Sequence, residues 1–314
     1  MTGIPVFTAA HVEQAVTPSR AVEAVREAFV AHATGAWTMP PKVYVTNYPA
    51  GDFRAMPALG GGYALLKWIN SFPGNPALGL PTVSGVVLVS EAESGQLRAV
   101  LDAGAVTALR TGAAAVLAAE TLGRADAGAA AVIGAGVNGR AAARTFLDRG
   151  REVLLWDLDP ARTADAAREL SCAAATSLEH ALAADVVVTV TPGHATLIGD
   201  ETLRPGQHVS LMGADGPGKA ETTDGALSRA RLFCDDWEQA SHGGELAHAV
   251  EAGLVTRADV TAIGDVLDGT ATGRQDDDEV TLFDSTGLAI QDLAVALAAL
   301  ERADELQLGT LDLF

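Results

Sequence analysis

The run Ala129-Ala130-Ala131-Val132-Ile133-Gly134-Ala135-Gly136-Val137-Asn138-Gly139-Arg140 decides the fold. Its five small or branched apolar residues read as a buried parallel strand, and the G-x-G-x-x-G that follows reads as a tight turn opening a helix over Arg140–Arg149. In such a unit Gly134 allows the turn, Gly136 lets a pyrophosphate approach the backbone, and Gly139 lets helix and strand pack closely. The helix N-terminus, with Val137 and Asn138, adds N–H donors and a positive dipole end. The glycine spacing alone is a weak signal, and a Gly-rich turn without a nucleotide is the other reading. The next candidate strand, 152–156, adds weight because it ends in Trp156-Asp157. Asp157 stands 23 residues after Gly134, close to the ~20 expected of an acid that binds the ribose hydroxyls. A carboxylate there repels a 2′-phosphate, so NAD is expected over NADP, with Arg162 a helical surface arginine.

Strand and helix patterns continue outward from this run. Toward the C-terminus, candidate strands at 186–191, 208–212, 231–235 and 280–284 alternate with helical stretches, the rhythm of a Rossmann-type doubly wound parallel sheet. Residues 287–305 form a long apolar helix able to return to the first domain. Toward the N-terminus, 101–122 is a helix of small residues carrying Arg110. Before it, 39–100 is a β-rich region of short segments punctuated by Gly and Pro, including Lys42–Asn47, Tyr63–Asn70, Val83–Ser90 and Leu97–Leu101. The first ~35 residues read as one strand and one helix. The fold class is therefore α/β, with a Rossmann-type domain over 124–286 and a β-rich α+β domain built from 1–123 and 287–314.

The chain has 314 residues, 48% of them hydrophobic and 19% charged, enough for sizeable cores. Forty acidic against 21 basic residues give a formal net charge of −19. Such a surface repels phosphate backbones, so nucleic acid is not an expected partner. It suits a salt-rich cytoplasm, or simply an acidic protein rich in Ala, Gly and Arg. No uncharged apolar run reaches the ~18 residues of a membrane span. The N-terminal segment lacks a basic stretch followed by an apolar block, so a cytoplasmic location is expected. Cys172 and Cys234 are too few for a disulfide framework and read as small buried residues. His11, His32, His180, His194, His208, His242 and His248 show no ligand spacing, so no metal is expected. Asp276-Asp277-Asp278-Glu279 reads as a solvated loop.

Lysine occurs only at 42, 67 and 219, which singles out each one. Lys42, Arg54, Lys67 and Arg110 fall in a mostly apolar, Gly-rich stretch. A small anionic substrate needs such cations for its carboxylate, and arginine can hold one bidentately. Lys67 interrupts the apolar run Ala64–Ile69. Either it snorkels at a strand end, or it is buried with its pKa drawn down into a useful range.

The segments RAMPAL (54–59), LLKWINSFPGN (65–75), ALRTGAAA (108–115), VIGAGVNGR (132–140), GADGPGKAE (213–221) and FDSTGLAIQDLA (283–294) together resemble the ornithine cyclodeaminase/mu-crystallin family, with the pattern of its archaeal-type alanine dehydrogenases. The resemblance implies a homodimer in which the β-rich domains pair their sheets and the Rossmann domain binds NAD(P). It implies that Lys67 is the acid/base lysine at the substrate, and that Lys42 and Arg110 help to hold substrate or nicotinamide. Asp215 resembles the aspartate used for proton transfer in the cyclodeaminases. Thr82, Thr191, Gly213, Lys219 and Ser285 resemble cofactor-contacting positions. Cyclodeaminases carry a glutamate at the position of Arg54, where it meets the cationic side of a diamine; an arginine there matches the dehydrogenase pattern and favours a small neutral amino acid. The reading is an NAD-dependent alanine dehydrogenase-like enzyme. Ornithine cyclodeamination, cyclic-imine reduction and mu-crystallin-like ligand binding are the alternatives.

Overall fold

Pro18 splits the N-terminal helical stretch in two. It occupies the first turn of a helix over Pro18–Ala33, while Val16 ends the helix Ala9–Ala15 in an extended conformation. The threonines before each helix, Thr8 and Thr17, accept backbone N–H bonds at the new N-termini. The single helix expected there is therefore two. The computed structural model describes residues 3–193, 195–216 and 218–313. His194, one of the histidines considered above, and Pro217 of the GADGPGK motif lie outside the described residues.

The described chain forms two compact units, residues 1–110 with 288–314, and 111–287. The division after Arg110 falls inside the helix Ala103–Leu122, which the sequence reading assigned whole to the first domain.

The first unit is built on a sheet of β1 (Ile4–Phe7), β2 (Val43–Asn47), β3 (Gly51–Gly60), β4 (Tyr63–Ser71), β5 (Val83–Glu91) and β6 (Leu97–Asp102), with a terminal strand Gly309–Leu311. β2 to β6 form an antiparallel meander. β1 joins β6 in parallel, and the terminal strand closes the edge antiparallel to β1. Side chains alternate across the sheet. Met56, Ala58, Leu65, Lys67, Ile69, Val87 and Val89 are buried, on the side covered by the helix Ala289–Leu300, which packs on β3, β4, β5 and on Pro18–Ala33. The alternate positions Val43, Val45, Leu66, Trp68 and Val86 stay exposed and form an apolar outer face.

The second unit is a parallel sheet of β7 (Ala130–Ile133), β8 (Val153–Trp156), β9 (Ala173–Ala174), β10 (Val186–Thr189), β11 (His208–Leu211), β12 (Arg231–Cys234), β13 (Val260–Ala262) and β14 (Thr281–Asp284). The order is β13-β12-β14-β11-β10-β7-β8-β9. The chain runs outward from β7 to β9 and then returns to β10 on the other side of β7. That reversal opens a crevice at the carboxyl ends of β7 and β10, where this class of sheet binds ligands. Four core strands are buried along their whole length, as expected of a sheet covered on both faces.

Cys234 is buried, but Cys172 is only half-buried, following the left-handed Ser171 that ends the helix Pro160–Leu170. The chain turns there beside solvent, so the expectation of two buried cysteines holds for one. The helix Ala103–Leu122 is long and apolar enough to cross a membrane by length and composition. It is mostly buried in the protein, and Arg110 lies in it.

Candidate active site: a cation cluster and a dinucleotide crevice

In the second unit the glycines of the turn meet steric demands. Gly134 has φ +105°, and a Cβ on it would lie 2.5 Å from the Val190 carbonyl oxygen. A Cβ on Gly139 would lie 1.7 Å from the Gly134 oxygen, so only glycine lets the helix pack this close. Gly136 faces open space and is the N-cap of the helix Val137–Asp148 without any side-chain cap bond. A helix of this length with an uncapped, exposed N-terminus suits a phosphate group. Val137 is exposed there and Asn138 is half-buried.

Asp157 follows β8, the strand beside β7. One of its oxygens accepts the Ala135 N–H at 2.8 Å and the other the Asp159 N–H at 2.9 Å. The carboxylate is thus fixed beside the glycine turn, where ribose hydroxyls would meet it. The half-exposed Arg162 lies 3.6 Å from the same carboxylate. These residues fit a dinucleotide.

Around the crevice, the Thr191 hydroxyl donates to the Glu221 carboxylate, which also accepts from Thr189 at 2.6 Å. Burial pushes the Glu221 carboxyl above its ordinary range. A Cβ on Gly213 would sit 2.5 Å from that carboxylate. The Ser285 hydroxyl donates to Asp235, and the Gly287 N–H reinforces the same carboxylate at 2.8 Å. The Lys219 ammonium donates to Asp215 at 2.5 Å, so the acid and the third lysine of the GADGPGK motif form one pair.

In the first unit, Lys67 stands on the inner face of β4 and is 1% exposed. Its Nζ lies 2.6 Å from Asp292 of the helix Ala289–Leu300 and 3.4 Å from the Thr107 hydroxyl. Arg110, one turn along from Thr107, places Nε 3.5 Å from the same Asp292. Burial, with help from the Arg110 and Lys42 charges, overrides the opposing Asp292 charge and brings the Lys67 ammonium down to about 8. The snorkelling alternative is excluded by this burial. Arg54 is on β3, two positions from Met56, which pairs with Lys67 across the ladder. Its Nε donates to Asp52 at 2.7 Å and its guanidinium lies over the Tyr44 ring at 5.4 Å. Lys42 precedes β2, within electrostatic reach of Lys67. Thr82 precedes β5, its carbonyl accepting from Phe72 at 2.8 Å.

The first unit thus gathers Lys42, Arg54, Lys67 and Arg110, while Asp157, Thr191, Gly213, Asp215, Lys219 and Ser285 belong to the second. Sequence reasoning missed the counter-ions Asp52 and Asp292 and the orienting Glu221. Asp292 carried a signal: it is the only charged residue in the helix AIQDLAVALAAL. Among the described residues no group of three or more His, Cys, Asp or Glu is arranged to hold a metal ion.

A family model described as the ornithine cyclodeaminase/mu-crystallin family matches residues 5–307. The chain is 42% identical to an alanine dehydrogenase of Archaeoglobus fulgidus, over 97% of each chain. It is 34% identical to an iminosuccinate reductase of Paracoccus denitrificans, over 92% of this chain and 93% of that one. Among solved structures, an archaeal alanine dehydrogenase dimer with bound NAD superimposes with a TM-score of 0.94 at 39% identity, covering 100% of both chains. With the family's motifs on these strands and turns, the chain belongs to the ornithine cyclodeaminase/mu-crystallin family.

Proposed function

We propose that this protein is an NAD-dependent dehydrogenase of a small L-amino acid, converting L-alanine and water to pyruvate and ammonium. The observation that carries the reading is Arg54, clamped by Asp52 and backed by Tyr44 on the face that also holds Lys67. The cluster of Lys42, Arg54, Lys67 and Arg110 against Asp52 and Asp292 has an excess of positive charge. It suits a carboxylate and opposes the distal ammonium of a diamine. Similarity to the A. fulgidus alanine dehydrogenase supports the same choice.

When bound, NAD accepts the hydride from the amino-acid Cα. Lys42 and Arg54 hold the carboxylate, with Arg110 beside it. Lys67 takes up and returns protons as water adds and ammonia leaves, a task matched to a group near neutrality. Asp215, tethered by Lys219, serves as the second proton carrier. The outer face of β2 to β5 docks a second copy of the chain, as the dimeric relative supports. The decisive assay follows NADH and ammonia over a panel of L-amino acids at low and high salt. The two rise together with alanine; ammonia from ornithine without net NADH would overturn the reading in favour of cyclodeamination.

Asp157→Ala lowers NAD affinity by roughly ten- to a hundredfold, the worth of hydrogen bonds to a charged acceptor. It also narrows the preference for NAD over NADP, because the charge that opposes a 2′-phosphate is gone. Calorimetric titration with both cofactors checks this, and an unchanged NAD affinity would remove Asp157 from the ribose site.

A further inference from the structure

We propose that Asp292 is a positioning residue for Lys67, a single buried carboxylate shared with Arg110 that fixes the lysine Nζ within the sheet and sets how tightly it holds its proton. The proposal rests on reading Lys67 as the proton-handling group of the dehydrogenase. Asp292 is fully buried in a helix whose only other polar side chain is Gln291, where an ionised carboxylate is costly unless cations compensate it. Two cations do so at unequal range, Lys67 at 2.6 Å and Arg110 at 3.5 Å. Arg110 Nε has no hydrogen-bond acceptor, although it is buried. The Asp292 oxygens that face it and Lys67 are likewise buried without a hydrogen-bond partner, so charge at short range holds the three groups together.

The surroundings of Lys67 leave few other groups to play this part. From the helix Ala103–Leu122 it meets Thr107 and Arg110. Met56 and Val87 lie opposite it on β3 and β5. Arg54, further along β3, is engaged by Asp52, and Lys42 contributes a repelling charge. Asp292 is the one anion that the ammonium contacts among the described residues. It opposes the downward pull of burial on Lys67.

The chain's three lysines make the test direct. With 13C-labelled lysine the protein gives three side-chain sets, and Lys67→Ala assigns one of them. In Asp292→Asn the Lys67 titration midpoint falls by about 1–3 pH units. In Arg110→Gln it rises, because Asp292 then serves Lys67 alone; the opposite sign keeps the test open should one variant fail to fold. The Lys219 midpoint stays in place in both. A Lys67 midpoint unmoved in either folded variant would overturn the proposal. The pH dependence of kcat/KM for alanine, measured on the same variants with NAD, separates the two layers. A limb that moves with the NMR midpoint supports both. A midpoint that moves while the limb stays fixed leaves the Asp292 coupling standing and overturns the role given to Lys67.

Discussion

Lys67→Ala lowers turnover of L-alanine with NAD by about 10²–10⁴-fold, the range over which a positioned general acid/base contributes. NAD affinity stays nearly unchanged, because the glycine turn and Asp157 belong to the other compact unit. The variant folds: removing the lysine leaves Asp292 compensated by Arg110 at 3.5 Å. The pH profile sharpens the prediction. In the proposed reaction Lys67 accepts a proton during deamination, so the expected wild-type activity falls as pH drops through about 8, where Lys67 becomes protonated. In Lys67→Ala that limb disappears from the residual activity. Stopped-flow measurement of NADH formation from pH 6 to 10, beside calorimetric NAD titration, reads both. Lost NAD binding with unchanged chemistry per bound cofactor would make Lys67 structural.

The second large effect lies on the opposite face of the same strand. Trp68→Glu converts the proposed dimer to monomers in light scattering, with NAD binding retained. Trp68 is 39% exposed on the outer face, stacks on Phe53 at 5.7 Å, and lies among Val43, Val45, Leu66 and Val86. An apolar patch of this kind marks an interaction surface. In a two-fold interface one substitution appears twice, so two carboxylates must be desolvated for the pair to form. Because side chains alternate along β4, Lys67 and Ile69 on the inner face are undisturbed. A variant still dimeric at micromolar concentration would place the interface elsewhere.

Much of this was legible because it rests on local rules. The glycine turn after an apolar strand, and Asp157 at the end of the next, are read from spacing. A charge in an apolar strand singled out Lys67 for burial or snorkelling, and the structure decides for burial. The counter-ions were less visible, since a carboxylate 225 positions away announces a partner only through the oddity of a charge in an apolar helix. Pro57 makes β3 hard to recognise, as proline is unwelcome inside a sheet. It is tolerated because the ladder with β2 stops at Ala55, before a missing N–H is felt there. The break at Pro18 was readable from the proline itself; the continuous apolar spacing on both sides masked it.

The interrupted first unit also dictates an order of assembly on the ribosome. The second unit is complete once Gly287 has been synthesised, whereas the first still lacks the helix Ala289–Leu300 and the edge strand Gly309–Leu311. Domains generally fold as their chain becomes available. Lys67 is therefore made early and waits through more than two hundred further residues for Asp292. Until that carboxylate emerges, the ammonium lacks the anion it contacts in the folded protein, and burying it carries the cost of desolvation.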